Sequence, residues 1–416
     1  MKSITFILLL FFSLNNWAQT SEKLKIDFEQ GKAKMLKENI ALMAEYYNVD
    51  ISEAEITQAK LWDNPLFVWN AEIYSIAQNS YFHFNNQKLI QLEYAFSVSG
   101  VRINTIKEAK IGKELAKHAL SDVIRSLVLD YSVAYYDFAS LMETNNLLNQ
   151  SLGQYDKLIE RCTKGKELGI NSESELIRLK SERQSILNEI NSNLRSALES
   201  EHKLKMLMHL PLTVSLEVTT DTTLLLPNFK VEELAELSIA NRPDFMIAKT
   251  NIEFYKANLK KQKSLAVPKV NLGYQPLDNG SNYVRPYSGM VFEMGIPIFN
   301  RNQGDIAAAK IKIDQNKLLL EYKTDEIKSE VNTAFQTLQQ AIELRESFNT
   351  EITADMEKLA ENARINFEKK NINLYEYIDY QRSYLEYKMN LIQATRNYND
   401  AINQLNFTVG TDIKKL

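Results

Sequence analysis

Apolar side chains alternate with other residues along 287–298, directly before a long helical pattern. The apolar face of this stretch is formed by Met290, Phe292, Met294, Ile296 and Ile298. A period of two is typical of a β-strand with one apolar and one mixed face. From Ile306 onwards, neither proline nor glycine occurs until Gly410. The sequence therefore predicts a strand that passes directly into a very long helical tract.

Three further stretches, at 67–74, 91–99 and 270–275, show the same alternation. Polar segments at 78–88 and 276–285 join the strands in pairs, and the second segment contains the turn-forming cluster D-N-G-S-N. Two strand hairpins are therefore predicted, at about 65–100 and about 268–299.

Apolar residues recur with a strict 4-3 spacing in the longest proline-free tracts, which is the pattern of a coiled-coil seam. The first seam consists of Leu127, Tyr131, Ala134, Phe138, Leu141, Asn145, Leu148, Leu152, Tyr155, Ile159 and Cys162. A shift of 200 residues gives Ile327, Val331, Ala334, Leu338, Ala341, Arg345, Phe348, Ile352, Asp355, Leu359 and Asn362. Eight of these eleven second-copy positions are apolar, so the sequence predicts an internal two-fold repeat in one continuous register.

The predicted fold is mainly α with a small β part. The N-terminal residues 1–18 are predicted to be a signal peptide, because Lys2 precedes an apolar run that is too short to span a bilayer. The first structural repeat is predicted at 19–210, with long helices at about 102–165 and 173–209. A connecting segment follows at 211–230. The second repeat is predicted at 231–416, with long helices at about 304–369 and 373–408.

Composition and charge exclude several classes of protein. The net charge of -4 argues against nucleic-acid binding. The single cysteine, Cys162, cannot form a disulfide within the chain. No catalytic motif is found, so the chain is predicted not to be an enzyme. The four histidines show no metal-ligand spacing, and Met206, Met208 and His209 are interpreted as packing residues at a helix end. Neither a cofactor nor a metal is expected.

Four amphipathic strands are too few to close a barrel within one chain, because a closed barrel needs about eight or more. Several chains that each contribute four strands would solve this problem, and three copies would give twelve. The alternative is two small soluble sheets packed on the helices. The spacing of the residues leaves both arrangements open.

Three local motifs carry a resemblance to a known family. They are L-W-D-N-P at 61–65, A-N-R-P-D at 240–244 and G-I-P-I-F-N-R-N-Q-G at 295–304. With the order of strands, heptads and turns in both halves, the chain resembles TolC-type outer-membrane efflux proteins over nearly its whole mature length. The third motif is most similar to the heavy-metal branch of that family.

The resemblance implies a homotrimer in the outer membrane of a Gram-negative bacterium. Its twelve-stranded barrel would continue into a periplasmic tunnel of long antiparallel coiled-coil helices. The protein would be a passive duct for small molecules or metal cations. Its partners would be outer-membrane lipid, a periplasmic adaptor protein and, through the adaptor, an inner-membrane pump. By the same analogy, segment 211–230 would wrap the middle of the tunnel.

The resemblance also assigns site residues. The first helix turn, L-G-I-N-S-E at 168–173, resembles the glycine-containing tips of the family, whereas the matching turn at 371–375 lacks the glycine, which leaves its geometry open. The expected adaptor contacts are Gly169, Ile170, Asn171, Ser172, Asn371, Ile372 and Asn373. Asp379 and Tyr380 are expected at the tunnel gate, with a solvated aspartate and a packed tyrosine as the alternative. The expected lipid-facing residues are Phe67, Trp69, Tyr94, Phe96, Met290 and Phe292.

A second function remains open from the sequence. The chain could be a periplasmic coiled-coil scaffold without channel activity, whose strands form a soluble sheet. A scaffold requires the apolar strand residues to lie in a protein core, whereas a duct requires them to contact lipid. The sequence does not separate metal ions, small molecules and proteins as cargo.

Overall fold

The computed structural model of the chain describes residues 23–71, 73–76, 79–81, 88–167, 172–219, 229–278 and 285–413. The predicted signal peptide at 1–18 lies outside these residues. Helices predominate over strands in the described part, so the prediction of a mainly α fold with a small β part is confirmed. Among the described helices, none is long and apolar enough to cross a membrane.

The elements alternate between short strands and helices of very unequal length. The helices are α1 (Phe28–Glu38), α2 (Ile40–Lys60), α3 (Val101–Glu167), α4 (Glu173–Leu207), α5 (Val231–Asn241), α6 (Pro243–Leu265), α7 (Gln303–Ser347), α8 (Thr350–Glu368) and α9 (Leu374–Val409). The strands are β1 (Lys23–Ile26), β2 (Leu66–Ala71), β3 (Tyr74–Ser75), β4 (Ser80–Tyr81), β5 (Lys88–Phe96), β6 (Ser215–Val218), β7 (Val270–Asp278) and β8 (Tyr287–Met294).

The chain divides into two compact units. The first contains β1, α1, the part of α3 from Tyr131 onwards, α4, β6 and the region Ala354–Arg396. The second contains α2, the first part of α3, α5, α6, α7, the remaining strands and the chain from Asn397 onwards. Helix α3 therefore contributes residues to both units.

An antiparallel sheet in the second unit has the strand order β2-β5-β7-β8. Its register places Phe67 opposite Leu92, Leu92 opposite Tyr274 and Tyr274 opposite Met290, so these apolar side chains form a row across one face. The next row on that face joins Tyr94, Leu272 and Phe292. Since neighbouring residues in a strand point to opposite faces, Gln91, Glu93, Gln275 and Glu293 share the other face.

The two faces of this sheet have the reverse of the usual burial. The apolar side chains are exposed, and Met290 is 82% accessible. On the polar face, Gln91 and Gln275 are buried, and Gln275 retains only 4% of its accessible surface. Hydrogen bonds satisfy both amides, because Gln91 donates to Glu93 and Gln275 donates to Asp278 at 2.7 Å.

The segment 295–304 turns the chain from β8 into α7 through local hydrogen bonds. The Asn302 backbone N–H donates to the Asn300 side chain at 3.0 Å, and the Gln303 side chain donates to the Phe299 carbonyl at 3.0 Å. Asn302 itself has a left-handed backbone with φ of 56°, which asparagine tolerates better than most residues. Its side chain donates to the Gln262 carbonyl at 2.8 Å, which fixes the start of α7 against α6.

An aromatic cluster holds the N-terminal segment of the first unit. The Tyr135 hydroxyl donates to the Thr219 carbonyl at 2.6 Å, and the Tyr131 hydroxyl donates to the Phe28 carbonyl at 3.1 Å. Beside them, β1 pairs in parallel with β6. Strand β6 belongs to the connecting segment 211–230, whose part at 220–228 lies outside the described residues. The sequence did not predict this strand pair.

A group of charged residues in the second unit connects three helices near the C-terminal end of α9. Arg242 donates to Asp244 at 2.6 Å, to Glu330 at 2.5 Å and to the Thr408 carbonyl at 3.2 Å. Although burial favours the neutral carboxyl, the hydrogen bond and positive charge of Arg242 lower the pKa of Asp244 to about 2. The A-N-R-P-D motif at 240–244 thus fixes α6 to α7 and to the end of α9.

The long helix predicted at about 304–369 is interrupted. Helix α7 ends at Ser347, and the Asn349 side chain accepts a hydrogen bond from the Ile352 backbone N–H at 2.8 Å to start α8. Such a cap competes with helix continuation because it satisfies the free N–H groups of a new first turn. The sequence signal was a single capping residue within an otherwise helical tract.

The interruption also changes which residues are buried. The predicted seam is correct from Ile327 to Ala341, where every seam residue is buried. Beyond the break, the seam residues Ile352 and Leu359 are 43% and 36% exposed, and Ala360 and Ala363 are buried instead. The buried face has moved by one residue, so the continuous register predicted between the halves is wrong after Phe348. The internal repeat itself stays a prediction.

Candidate functional site

In the turn between α8 and α9, a lysine adopts the left-handed backbone conformation that a glycine usually adopts at a helix end. Lys370 has a left-handed backbone with φ of 61°. Its backbone N–H donates to the Phe367 carbonyl at 3.0 Å, and that of Asn371 donates to the Asn366 carbonyl at 2.8 Å. This is the pair of hydrogen bonds of a Schellman motif, in which glycine is the usual left-handed residue. The geometry that the sequence left open is therefore that of an ordinary helix end.

Equivalent caps begin the helix that follows each turn. Ser172 accepts from the Glu175 backbone at 3.2 Å, and the Glu175 side chain accepts from the Ser172 backbone at 2.8 Å. Asn373 and Glu376 exchange the corresponding bonds at 3.0 Å and 2.9 Å. Both are capping boxes, which fix the entry of the chain into a helix. Three other predicted contact residues, Gly169, Ile170 and Asn171, lie outside the described residues.

A cleft of about 430 Å³ lies between the end of α3, the start of α4 and the α8–α9 turn. Its lining residues are Leu158, Arg161, Cys162, Glu175, Leu179, Phe367, Glu368, Lys370, Ile372, Asn373 and Leu374. Of the predicted contacts, Ile372 and Asn373 line this cleft. Asn371 is exposed beside it, and Ser172 caps the helix that supplies Glu175 and Leu179. The structure thus brings part of the predicted contact set to one site.

The floor of the cleft is a well-packed apolar core. The Phe367 and Tyr377 rings stack with centroids 4.8 Å apart, and Leu179, Leu374 and Cys162 are buried in the same cluster. Burial raises the pKa of Tyr377 to about 12, so this phenol stays neutral at physiological pH. Burial likewise raises the pKa of the Cys162 thiol, which disfavours the reactive thiolate.

Charged side chains surround this apolar floor. Arg161 donates to Glu368 at 2.7 Å, and Arg364 donates to the same carboxylate at 2.9 Å. The hydrogen bond from Arg161 lowers the pKa of Glu368, which therefore remains ionised. An apolar centre with a polar rim is the usual composition of a protein-binding surface.

The predicted gate residues lie on the exposed side of α9. Tyr377 and Ile378 on the same turn are buried, whereas Asp379 and Tyr380 are exposed. Directly after them, Arg382 donates to the buried carboxylate of Glu182 on α4 at 2.6 Å and 3.0 Å. This bidentate pair fixes α9 against α4 and leaves Asp379 and Tyr380 accessible. Their role in a gate stays a prediction.

The predicted lipid-facing residues share one face of the four-stranded sheet. Phe67, Trp69, Phe96, Met290 and Phe292 are exposed, and Tyr94 is partly exposed. Contact with lipid stays a prediction.

Concerning metals, no group of three His, Cys, Asp or Glu side chains in the described residues could hold an ion. Met206 is exposed and Met208 is buried, so the two sulfurs of that sequence motif do not share an environment.

Sequence reasoning missed several residues of the cleft. The spacings S-x-x-E at 172–175 and N-x-x-E at 373–376 are capping-box signals, which locate both helix starts. Arg161, Phe367 and Glu368 carry no such signal, because their place in the cleft depends on how the helices pack. Lys370 carries none either, because lysine rarely adopts a left-handed backbone.

The second half of the chain matches a protein family in sequence. Residues 234–411 match the family described as outer membrane efflux protein. The cation efflux system protein CusC of Escherichia coli strain K12 is 26% identical over 186 residues, which are 41% of this chain and 39% of that protein. The chain therefore spans about two fifths of the length of the curated relatives it matches.

The fold of nearly the whole chain resembles solved outer membrane channels. The MtrE channel of Neisseria gonorrhoeae superposes with a TM-score of 0.73 at 14% identity, over 93% of this chain and 89% of that one. The CmeC channel of Campylobacter jejuni gives a TM-score of 0.73 at 13% identity, over 93% and 88%. The match over residues 234–411 and the fold of nearly the whole chain agree with the resemblance to TolC-type outer-membrane efflux proteins that the sequence predicts.

These matches bear on two predictions from the sequence. The matched family is described as outer membrane efflux protein and the solved structures are outer membrane channels, which agrees with the predicted outer-membrane location. The family is one of transport channels and not of enzymes.

Proposed function

We propose that this protein is the outer-membrane duct of a tripartite efflux system. The supporting observation is the inverted sheet, which exposes its apolar side chains and buries Gln91 and Gln275 on its polar face. Lipid outside and water inside would satisfy both faces, as in transmembrane barrels with polar interiors. In a soluble scaffold, the same apolar side chains require a protein core, and in this sheet they are exposed.

Closure of the barrel follows from the sheet order. Strands β2 and β8 are the edges, and three antiparallel pairings between them make these edges run in opposite directions. The β8 edge of one copy can therefore pair in antiparallel fashion with the β2 edge of the next. Head-to-tail pairing of this kind closes a ring and removes all open edges. Three copies give the twelve-stranded barrel of a homotrimer, continued by a tunnel of long helices.

The cleft at the α8–α9 turn is the proposed contact for a periplasmic adaptor protein. Its apolar floor and charged rim suit a helical hairpin that packs apolar side chains into the cleft over Phe367 and Leu179. Gly169, Ile170, Asn171, Ser172, Asn371, Ile372 and Asn373 would form the contact surface. Through the adaptor, the duct would receive cargo from an inner-membrane pump, and Asp379 and Tyr380 would lie at its gate.

The proposed cargo is a metal cation or another small molecule. The relative named above is a cation efflux system protein, which supports the cation class. A duct for cations requires a wet lumen and no tight binding site of its own, because selection of the cargo belongs to the pump.

Membrane fractionation of the expressed full-length chain tests the proposal. We expect the protein in the outer membrane, and we expect it to migrate at about three times the chain mass when the sample is not boiled. A soluble periplasmic monomer would contradict the duct and favour the scaffold.

Cysteine cross-linking tests the adaptor contact separately. The single native cysteine, Cys162, is buried, so an Asn371→Cys variant gains an accessible thiol with little background. We expect it to cross-link to the adaptor in cells, whereas Glu199→Cys, an exposed position near the C-terminal end of α4, should not. Equal cross-linking at both positions would exclude a specific contact at the turn.

A further inference from the structure

Four exposed lysines line one cleft between the start of α3 and the end of α6. The cleft has a volume of about 370 Å³, and its charged rim includes Lys107, Lys110, Lys256 and Lys260. Between the two pairs of lysines, Ile111 and Ala257 form an apolar floor. Glu253 is the one carboxylate among the cleft's lining residues that the structure describes.

The four lysines outnumber the single described carboxylate that lines the cleft with them, Glu253. None of the four lysines forms an ion pair or a side-chain hydrogen bond with another described residue. The nearby carboxylate of Glu108 is already occupied, because it accepts from Lys261 at 2.5 Å and from Asn258 at 2.6 Å. Four like charges around one cleft repel each other, so an anion from outside the chain would stabilise them.

The cleft lies close to the apolar sheet. Helix α3 follows β5 and helix α6 precedes β7, and these two strands are neighbours in the sheet. The Asn104 side chain donates to the Ser264 hydroxyl at 2.6 Å, which joins the two helices at their sheet ends. At 1.5 Å per residue, Lys107 and Lys110 lie roughly 9 and 14 Å along α3 from its first residue.

Exposed apolar side chains lie between the sheet and the four lysines, near the ends of the two helices that face the sheet. Trp62, Ile103, Leu265 and Val267 are all exposed there. Arg102 lies over the Trp62 ring at 4.3 Å from its centroid. The order along this part of the molecule is therefore apolar strands, a tryptophan with other apolar residues, and then lysines. A lipid leaflet has the same order, from acyl chains through the interface to the phosphates.

We propose that this cleft binds the head group of an anionic glycerophospholipid in the leaflet on the helix side of the membrane. The four ammonium groups would contact the phosphodiester oxygens, and Ile111 and Ala257 would contact the glycerol end of the acyl chains. The inference rests on the proposed membrane duct, because the lipid is present only if the sheet lies in a bilayer. Lysines near an anionic leaflet strengthen binding by about fivefold each.

Lipid-dependent thermal unfolding of the purified full-length protein in a neutral detergent tests the proposal. The probes are phosphatidylglycerol and phosphatidylcholine with the same acyl chains, and inorganic phosphate. We expect phosphatidylglycerol to raise the apparent Tm more than phosphatidylcholine does, and phosphate to have no effect. The variant with Lys107, Lys110, Lys256 and Lys260 all changed to glutamine should lose the difference between the two lipids.

A second variant controls for the loss of four charges. It changes Lys157, Lys230, Lys249 and Lys328 to glutamine, which are exposed lysines on other parts of the chain. We expect it to keep the preference for phosphatidylglycerol. Should the first variant fail to fold, Lys107→Gln with Lys110→Gln, and separately Lys256→Gln with Lys260→Gln, should each weaken the preference.

Several results would overturn the lipid site. They are equal effects of the two lipids on the unaltered protein, an unchanged preference in the cleft variants, equal loss in the control variant, or the same stabilisation by inorganic phosphate. An outer-membrane trimer without lipid preference would reject this site alone. A protein that is absent from the outer membrane would reject the proposed duct itself.

Discussion

The four-stranded sheet and the helical core below the α8–α9 turn use amphipathic elements in opposite ways. In the helical core, Leu179, Tyr377 and Phe367 pack together, and the charged side chains lie outside. In the sheet, Phe292 and Met290 lie outside, whereas Gln91 and Gln275 are covered. The helices therefore bury their apolar faces, whereas the strands expose theirs. The difference is the one we expect if water surrounds the helices and lipid surrounds the sheet, as in the proposed duct.

The polar groups of the two regions are satisfied differently as well. The buried amide of Gln275 bonds to Asp278 within its own sheet face, three residues away. The buried carboxylate of Glu182 instead bonds to Arg382, two hundred residues away in the sequence. A hydrogen bond within one strand does not tie the sheet to a helix, so the sheet stays free to pair with other copies of the chain. A hydrogen bond between distant helices instead fixes α4 against α9.

The largest expected effect concerns the helical core. Leu179→Ala removes a side chain that is 1% exposed, so we expect a loss of about 2–5 kcal/mol in the free energy of unfolding. Its control is Ile177→Ala on the same helix, where the side chain is 61% exposed and the expected loss is within about 0.5 kcal/mol. Thermal unfolding in detergent, followed by circular dichroism, measures both. Equal destabilisation would show that the burial assigned to this hairpin is incorrect.

The second prediction tests the reversed faces of the sheet. Phe292→Arg places a charge on the proposed lipid face, which costs about 2–4 kcal/mol near the middle of a bilayer. Glu293→Arg places the same residue on the opposite, polar face, where water is available. We expect outer-membrane recovery to fall strongly for Phe292→Arg and little for Glu293→Arg. The reverse ranking would mean that the sheet faces are assigned the wrong way round.

The third prediction concerns the buried charges of the helical regions. Asp244 has a folded pKa of about 2, below the value of about 3.9 expected in the unfolded chain. Its contribution, about 2 kcal/mol, is therefore complete above about pH 4 and is lost as the pH falls towards 2. We expect Asp244→Asn to be less stable at pH 7 and to show a smaller loss of stability over that acid range.

Asp314→Asn provides the matched control for this pH dependence. Asp314 pairs with Lys317 at 2.7 Å, but its side chain is 73% exposed, and exposed pairs contribute little. We expect the control to follow the unaltered protein at every pH. If Asp244→Asn shows the full acid-dependent loss, another group is responsible for it.

The smallest expected effect is at the helix turn. Lys370→Gly removes the strain of a left-handed lysine, which should raise the free energy of unfolding by about 1 kcal/mol. Lys369→Gly should lower it instead, because Lys369 does not have a left-handed backbone and glycine adds freedom to the unfolded chain. Thermal unfolding measures both variants. Destabilisation by Lys370→Gly would show that this turn depends on contacts of the lysine side chain.

Much of the fold was predictable because local patterns repeat many times. The alternation at 287–298 and the seam from Ile327 to Ala341 each depend on several residues that agree with one another, although the strand ends at Met294, earlier than the alternation does. The shift of the buried face after Phe348 was not predictable in the same way. It depends on a single helix cap at Asn349. The pattern of the surrounding residues favours a continuous helix, so it gives no sign of the break.

The candidate site was only partly predictable. Asn373 and Ser172 were recognisable as turn residues, and both cap a helix in the structure. Arg161, Glu368 and the lysines of the α3–α6 cleft were not recognisable. Charged residues on long helices resemble any solvated face until the packing of the helices brings them together.

The sequence by itself determined the types of element, the apolar face of each strand and the heptad seams, because these follow from side-chain periodicity along the chain. Only the tertiary structure decided which strands are neighbours, that Gln91 and Gln275 are covered, and that the ends of α3 and α4 enclose a cleft with the α8–α9 turn. These features depend on contacts between residues far apart in the sequence. Periodicity fixes the orientation of a side chain on its own element, whereas packing fixes the neighbours that the side chain meets.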